Sequence, residues 1–152
     1  MKVLHTACLL NAAPGMVNQM VWEQEAANEL SLLWDVVLFS RDNIHSSVSH
    51  LTGITGKTIF SYVLLRIKFA FWLVKAQNKY DLILLRYSLH DPFQWLTSFF
   101  LHNYLTVHHT FEQEEIRLKK GVMGKIKSAI EEFCAIGTLN RALGIIGVTA
   151  EI

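Results

Sequence analysis

Tyr80 to Ser88, YDLILLRYS, sets Leu82, Ile83, Leu84 and Leu85 side by side with no polar residue among them. A near-continuous apolar strand is what a parallel sheet needs when both of its faces are covered. Parallel neighbours cannot be joined by tight turns, so the segments between strands must be long and usually helical. This one stretch therefore asks the rest of the chain to alternate strands with helices.

The chain does alternate. Lys2 to Ala7, KVLHTA, reads as a buried strand, followed by a loop containing Pro14 and Gly15. From Met16 the stretch MVNQMVWEQEAANELSLL puts Val17, Met20, Val21, Ala27 and Leu30 at helical spacing. Asp35 to Ser40, DVVLFS, is the next strand, so the opening is a β-loop-α-β unit within about forty residues. RDNIHSSVSHLTGITGK is expected to be a long connection, and a very apolar helix is expected from Thr58 to Gln77. Asp91-Pro92 has the form of an N-cap followed by proline in a first helical turn. YLTVH is a fourth strand, GKIKSAIEEFCAIGTLNRAL one helix or two broken near Gly137, and GIIGVT a fifth strand. The expectation is a single α/β domain over residues 1–152, a Rossmann-like parallel sheet flanked by helices.

At 51% hydrophobic and 18% charged residues, a buried core is expected and disorder is not. A formal net charge of +1 gives no overall attraction to nucleic acid. MKVLHTACLLNAAPG turns polar too soon for a secretory signal, and Arg66 with Lys68 interrupts the apolar helix near its middle, against a membrane span. Cys8 and Cys134 read as reduced thiols, so the expected place is cytoplasmic, with peripheral contact at the inner face of the plasma membrane also open.

Ligands of parallel sheets sit at the carboxyl ends of the strands. Five segments fall there: Ala7 to Gly15, Ser40 onward, Tyr87 to Asp91, His108 to Glu115, and Thr149. In TVHHTFEQEEIR, His108 and Glu112 would share a face if the chain turns helical, supplying two metal ligands. Two ligands do not make a site, and no H-E-x-x-H order is present, so no metal is assigned. Glu112, Glu114 and Glu115 equally suit a solvated helix start, where acids complement the dipole. Gly15, between a strand and a helix N-terminus, can approach a phosphate or can simply form a tight turn. Neither a G-x-G-x-x-G fingerprint nor a P-loop is present, and nothing beside Cys8 would activate it. Two segments could meet a lipid surface: the Thr58 to Gln77 helix, otherwise a sheet-covering core helix, and the basic RLKKGVMGKIK, otherwise a solvated face.

Taken in order, KVLHTACLLNAAPGMVNQMVWEQEAANEL, YDLILLRYS, LTVHHTFEQEE and GIIGVTAEI resemble the N-terminal half of GT-B glycosyltransferases. The resemblance is nearest to the large retaining family four group and spans nearly the whole chain. It implies the acceptor-side domain of an enzyme that transfers a sugar from a nucleotide-sugar donor to a polysaccharide or lipid-linked acceptor. It implies no cofactor, since the nucleotide sugar is a co-substrate, and no nucleic-acid partner. Pro14-Gly15 would match the turn near the donor diphosphate, with Gly15 as its binding residue. TVHH would match the family's T-x-H and make His108 the catalytic residue, with His109, Glu112 and Thr149 on the acceptor side of the cleft. The donor-binding second domain would lie beyond Ile152, so this fragment alone would be inactive. The alternative is a stand-alone α/β binding or regulatory domain at a membrane surface.

Overall fold

The computed structural model describes residues 1–9, 14–40, 49–50, 58–88, 91–108 and 122–147. Lys2–Leu9 (β1) pairs in parallel with Leu33–Ser40 (β2) along its whole length, from Lys2 opposite Leu33 to Leu9 opposite Ser40. The other edge of β1 pairs with Leu82–Arg86 (β4), which pairs with Tyr104–His108 (β5), which pairs with Gly144–Gly147 (β6). Ser49–His50 (β3) adds a two-residue strand outside β2. It falls within the expected long connection, because two residues carry no readable period and pairing alone defines them.

The sheet order is β3-β2-β1-β4-β5-β6 with every pairing parallel, the order of the Rossmann nucleotide-binding sheet. The fold is α/β and Rossmann-like. The chain runs outward from β1 in one direction and then from β4 in the other. The crevice between the carboxyl ends of β1 and β4 is therefore the switch point of the topology.

Alternation along the strands sorts side chains onto two faces. Leu4, Cys8, Val37, Phe39, Ile83, Leu85 and Tyr104 point to one face. Ile59–Ala76 (α2) lies on it through Leu65, Phe69 and Leu73, spaced four residues apart. Phe69 meets Phe39 edge to face at 5.2 Å, and Thr58 caps the helix by accepting from the Ser61 amide at 3.2 Å. The opposite face carries Ala7, Val36 and Leu38, against which Pro14–Glu29 (α1) sets Val17 and Met20.

Helix α1 begins at Pro14, two residues before its sequence pattern starts. Proline at the first helical position has its φ already set and no N–H to waste. The helix also stops early, at Glu29, because Ser31 adopts a left-handed φ of 56°. The amide of Leu32 bonds the Ala27 carbonyl and that of Ser31 the Asn28 carbonyl, a Schellman closure.

Two more helices complete the layer holding α2. Pro92–Ser98 (α3) is capped by Asp91, whose carboxylate accepts from the Phe93 amide at 3.0 Å. Val122–Leu139 (α4) is one helix that passes through Gly137 without a break. Glycine is tolerated there for a packing reason: a Cβ at Gly137 would overlap the indole of Trp95 in α3. Trp95 is wedged between Phe99 and Phe133, with ring centroids at 5.1 and 4.8 Å. Among the described residues no helix is long and apolar enough to cross a membrane.

The Gly137 contact predicts the sign of one substitution. Gly137→Ala gains up to about 1 kcal/mol of helix propensity, but overpacking against a wedged indole costs about 1–3 kcal/mol. The expected net effect is a loss of about 1 kcal/mol in urea denaturation, and a gain in stability would show that Trp95 moves aside freely.

Candidate functional site

His108 is the last residue of β5, at the carboxyl edge of the sheet and on the α2 face. The residue opposite it, just past β4, is Tyr87, whose amide extends the ladder to the Val107 carbonyl at 3.0 Å. The two rings stack, with centroids 4.6 Å apart and planes inclined by 20°. The Tyr87 hydroxyl donates to Glu131 Oε1 at 2.5 Å. Glu131 projects from α4 and is 3% exposed. The sheet thus supplies the ring pair, and α4 closes over it with a carboxylate.

The orientation of α4 explains this. Its buried residues are Glu131, Cys134, Ala135 and Thr138, one stripe at helical spacing. Its exposed residues include Ile126, Ile130, Phe133 and Ile136. The helix turns its more polar stripe inward and leaves the apolar one outside. Lower down, the Tyr104 hydroxyl donates to the backbone carbonyl of Thr138 in the last turn of the helix at 2.6 Å.

Burial lowers the His108 pKa below its ordinary value of 6.5, and the nearby Glu131 charge only partly opposes this. The ring is held neutral at neutral pH. Its Nε2 is buried and has no hydrogen-bond partner among the described residues, and the same is true of Thr106 Oγ1, two residues back on the same face. Two orphaned polar atoms on one strand end are unusual, because buried polar groups are normally paired.

A second buried cluster lies where β1 and β4 diverge. Arg66 of α2, 6% exposed, pairs with Asp91 at the start of α3, which is 5% exposed. Its other terminal nitrogen donates to the Tyr62 hydroxyl and, at 2.5 Å, to Ser88 Oγ. Burial works against the guanidinium charge, but Asp91, Cys8 and Tyr62 outweigh it and hold the group above its ordinary range. Burial also pushes the Asp91 carboxyl up, against Arg66 and the α3 amides. Arginine keeps its proton in proteins, so the pair is best described as ionic. Gln94 completes the turn, accepting from the Ser88 amide at 2.8 Å and donating to the Arg86 carbonyl at 3.0 Å.

Cys8 ends close to this cluster. Burial pushes its thiol up to about 12 despite Arg66, so it has no thiolate character at neutral pH. The Cys134 thiol is likewise raised by burial, with Glu131 and Asp91 adding to it. On the opposite face His5 is 1% exposed. Its Nδ1 lies 2.7 Å from Glu23 Oε2, within ion-pair distance but off the hydrogen-bond direction. That contact joins α1 to the middle of β1 rather than to the carboxyl edge.

Of the residues expected at the site, the structure places His108 and Gly15 on the carboxyl edge and does not bring them into contact. Gly15 lies in the first turn of α1, and a Cβ there would meet nothing within 4 Å. His109, Glu112 and Thr149 lie outside the described residues. Among the described residues no group of three or more His, Cys, Asp or Glu side chains is placed to hold a metal ion. The sequence placed Tyr87 at the ligand-facing edge without giving it a role, and did not bring Glu131 or Arg66 to the site. Their signal was faint: Glu131 shares a helical stripe with Thr138, and Arg66 interrupts an otherwise apolar helix.

Substitutions in the two clusters have distinct expected outcomes. Arg66→Met strands a buried carboxylate, so stability should fall by about 3–5 kcal/mol. Adding Asp91→Asn, which keeps the N-cap, should recover part of that loss in urea denaturation; no recovery would mean that the pair is not the cause. For His108 the folded pKa lies below the unfolded one. Its contribution is therefore full above about pH 6.5 and is lost as pH falls from there through the folded pKa, because the unfolded chain binds the proton more readily. Thermal melts should show a steeper loss of stability between about pH 7 and about pH 5.5 in the wild type than in His108→Gln. Parallel curves would place the folded pKa at its ordinary value.

No protein-family model matches the chain, and comparison with curated proteins gives no match.

Proposed function

We propose that the chain is the acceptor-side domain of a retaining GT-B glycosyltransferase. It would serve transfer of a sugar from a nucleotide-sugar donor to a polysaccharide or glycolipid acceptor in the cytoplasm. The observation that carries this reading is at the end of β5, where Thr106 Oγ1 and His108 Nε2 are buried on one face with no partner among the described residues. Open parallel sheets bind ligands at this edge, and sugar hydroxyls are donors and acceptors that would satisfy both atoms. The β3-β2-β1-β4-β5-β6 order supports it, because such sheets recur in nucleotide-handling domains.

In this reading the neutral His108 imidazole hydrogen-bonds a hydroxyl of the transferred sugar and fixes its orientation, with Tyr87 holding the ring by stacking. Gly15, at the start of α1, lets helix amides face the donor diphosphate. His109, Glu112 and Thr149 shape the acceptor side. The bond from the anomeric carbon to the diphosphate breaks, a bond to the acceptor oxygen forms, and the acceptor proton leaves with the diphosphate. The charge that develops on the leaving group is stabilised by amides and cations, most of them in a second, donor-binding domain. No cofactor takes part.

The test is sugar transfer. The reading frame past the Ile152 codon is first checked for a second α/β domain, and the complete polypeptide is assayed with a panel of radiolabelled nucleotide sugars and saccharide or lipid-linked acceptors. The expected result is transfer with retained anomeric configuration. In His108→Ala, kcat/KM should fall by about a hundredfold or more with unchanged circular dichroism. Absence of both transfer and donor hydrolysis across the panel rejects the reading, as does full activity in His108→Ala.

A further inference from the structure

The outer surface of the α2-α3-α4 layer is unusual for a helical layer on a sheet. Ile126, Ile130, Phe133 and Ile136 form an exposed ridge on α4, 44–59% accessible, and Phe99 and Phe100 at the end of α3 extend it at 47% and 56%. An apolar surface of this continuity marks an interaction site rather than scattered exposure. It is not a groove: the ridge is the convex outer side of a helix, and its partner must be a surface.

Charge identifies that surface. Lys125 is exposed at the start of the ridge and, at helical spacing, borders its apolar stripe on the Ile136 side. Lys127, four residues before Glu131 and seven before Cys134, is exposed in line with the inward stripe. Arg141 is exposed at the far end, with its guanidinium 3.6 Å above the Phe99 ring. Lys75 is exposed on the same layer, on α2. Helices α2 and α3 contain no acidic residue, and Glu132 is the exposed acid of α4. The other face of the molecule has the reverse character: α1 carries Glu23, Glu25 and Glu29 and no basic residue. The two sides of the sheet are thus oppositely charged, with apolar side chains exposed between cations on one of them.

We infer that the α3-α4 face docks on an anionic lipid surface, with Ile126, Ile130, Phe133 and Phe99 entering the headgroup boundary and Lys125 and Arg141 meeting lipid phosphates. Apolar residues flanked by cations whose long stems can reach past them are the features of interfacial helices. A partner protein would need an acidic rim around an apolar trough. Among the described residues a second copy of this chain offers α1 as its acidic face, and there Trp22 is the exposed aromatic. The inference does not depend on the glycosyltransferase reading.

The experiment is sedimentation of the full chain with phosphatidylcholine vesicles, with and without about a third phosphatidylglycerol. Binding is expected with the anionic vesicles and should weaken as salt is raised. Lys125→Ala and Arg141→Ala should each weaken it about fivefold, and Phe133→Glu should abolish it. Should Phe133→Glu fail to fold, quenching of wild-type tryptophan fluorescence by brominated lipid reads the same contact without that variant. Trp95 touches Phe133 and Phe99, so quenching should drop in Trp95→Phe. No binding to anionic vesicles overturns the inference. So does equal binding to neutral vesicles that ignores Lys125 and Arg141, or a dimer that Phe133→Glu dissolves while vesicles stay unbound.

Discussion

The Arg66–Asp91 ion pair is the constraint on which the arrangement of the carboxyl edge depends. Both partners are almost fully removed from water. Burying two charges is costly unless each finds several partners. Much of the cost is offset by geometry: Arg66 also donates to Tyr62 and Ser88, while Asp91 also caps α3. Arg66 Nε is left buried and without a partner among the described residues. The same contacts tie α2 to the segment after β4 and to the first turn of α3. If Arg66 shifts, the α3 cap, the Ser88 turn and the neighbouring Tyr87 lose their reference point. Tyr87 sets the plane of His108, so the candidate site inherits its geometry from an ion pair it does not contain.

Much of the fold could be read in the sequence because parallel sheets advertise themselves. DLILLR, DVVLFS and YLTVH carry runs that suit strands covered on both sides, and Asp91-Pro92 announces a helix start through local chemistry alone. What could not be read was of another kind. β3 has two residues and no period, and the first turn of α1 was hidden because Pro14 serves a turn or a first helical position equally well. Tyr87 and Glu131 are 44 positions apart, and no local pattern encodes a contact of that span. Arg66 looked like a reason against a membrane span; that it is buried and paired depends on the long-range partner Asp91. His108 stood out because it follows a buried strand directly, but the stacking and the low pKa that define its chemistry come from neighbours on other elements.

The polarity of α4 links these observations. An apolar helical stripe normally faces the core, and the pattern of GKIKSAIEEFCAIGTL alone would turn Ile126, Ile130 and Phe133 inward. The structure turns Glu131 inward instead, where its carboxylate accepts from the Tyr87 hydroxyl at the sheet surface, while the Tyr104 hydroxyl is met by the backbone carbonyl of Thr138. A Tyr87 hydroxyl left unpaired under an apolar stripe would cost roughly 1–3 kcal/mol. Matching it favours this rotation of the helix, which leaves its apolar residues in solvent.

That rotation puts the proposed sugar site and the proposed lipid contact on opposite sides of one helix. Ile130 and Glu131 are adjacent in sequence and face apart, one toward the lipid contact and the other toward Tyr87 and His108. The separation between them is about one helix diameter, roughly 10 Å. A lipid-linked acceptor suits such a spacing: its hydrocarbon stays in the bilayer beneath the α3-α4 face while its polar head reaches past α4 to the orphaned atoms of Thr106 and His108. A freely diffusing saccharide would need the site but not the exposed ridge. If both proposals hold, an amphiphilic acceptor is the kind that would use both sides of the helix at once, its polar head on the inner side and its hydrocarbon on the outer.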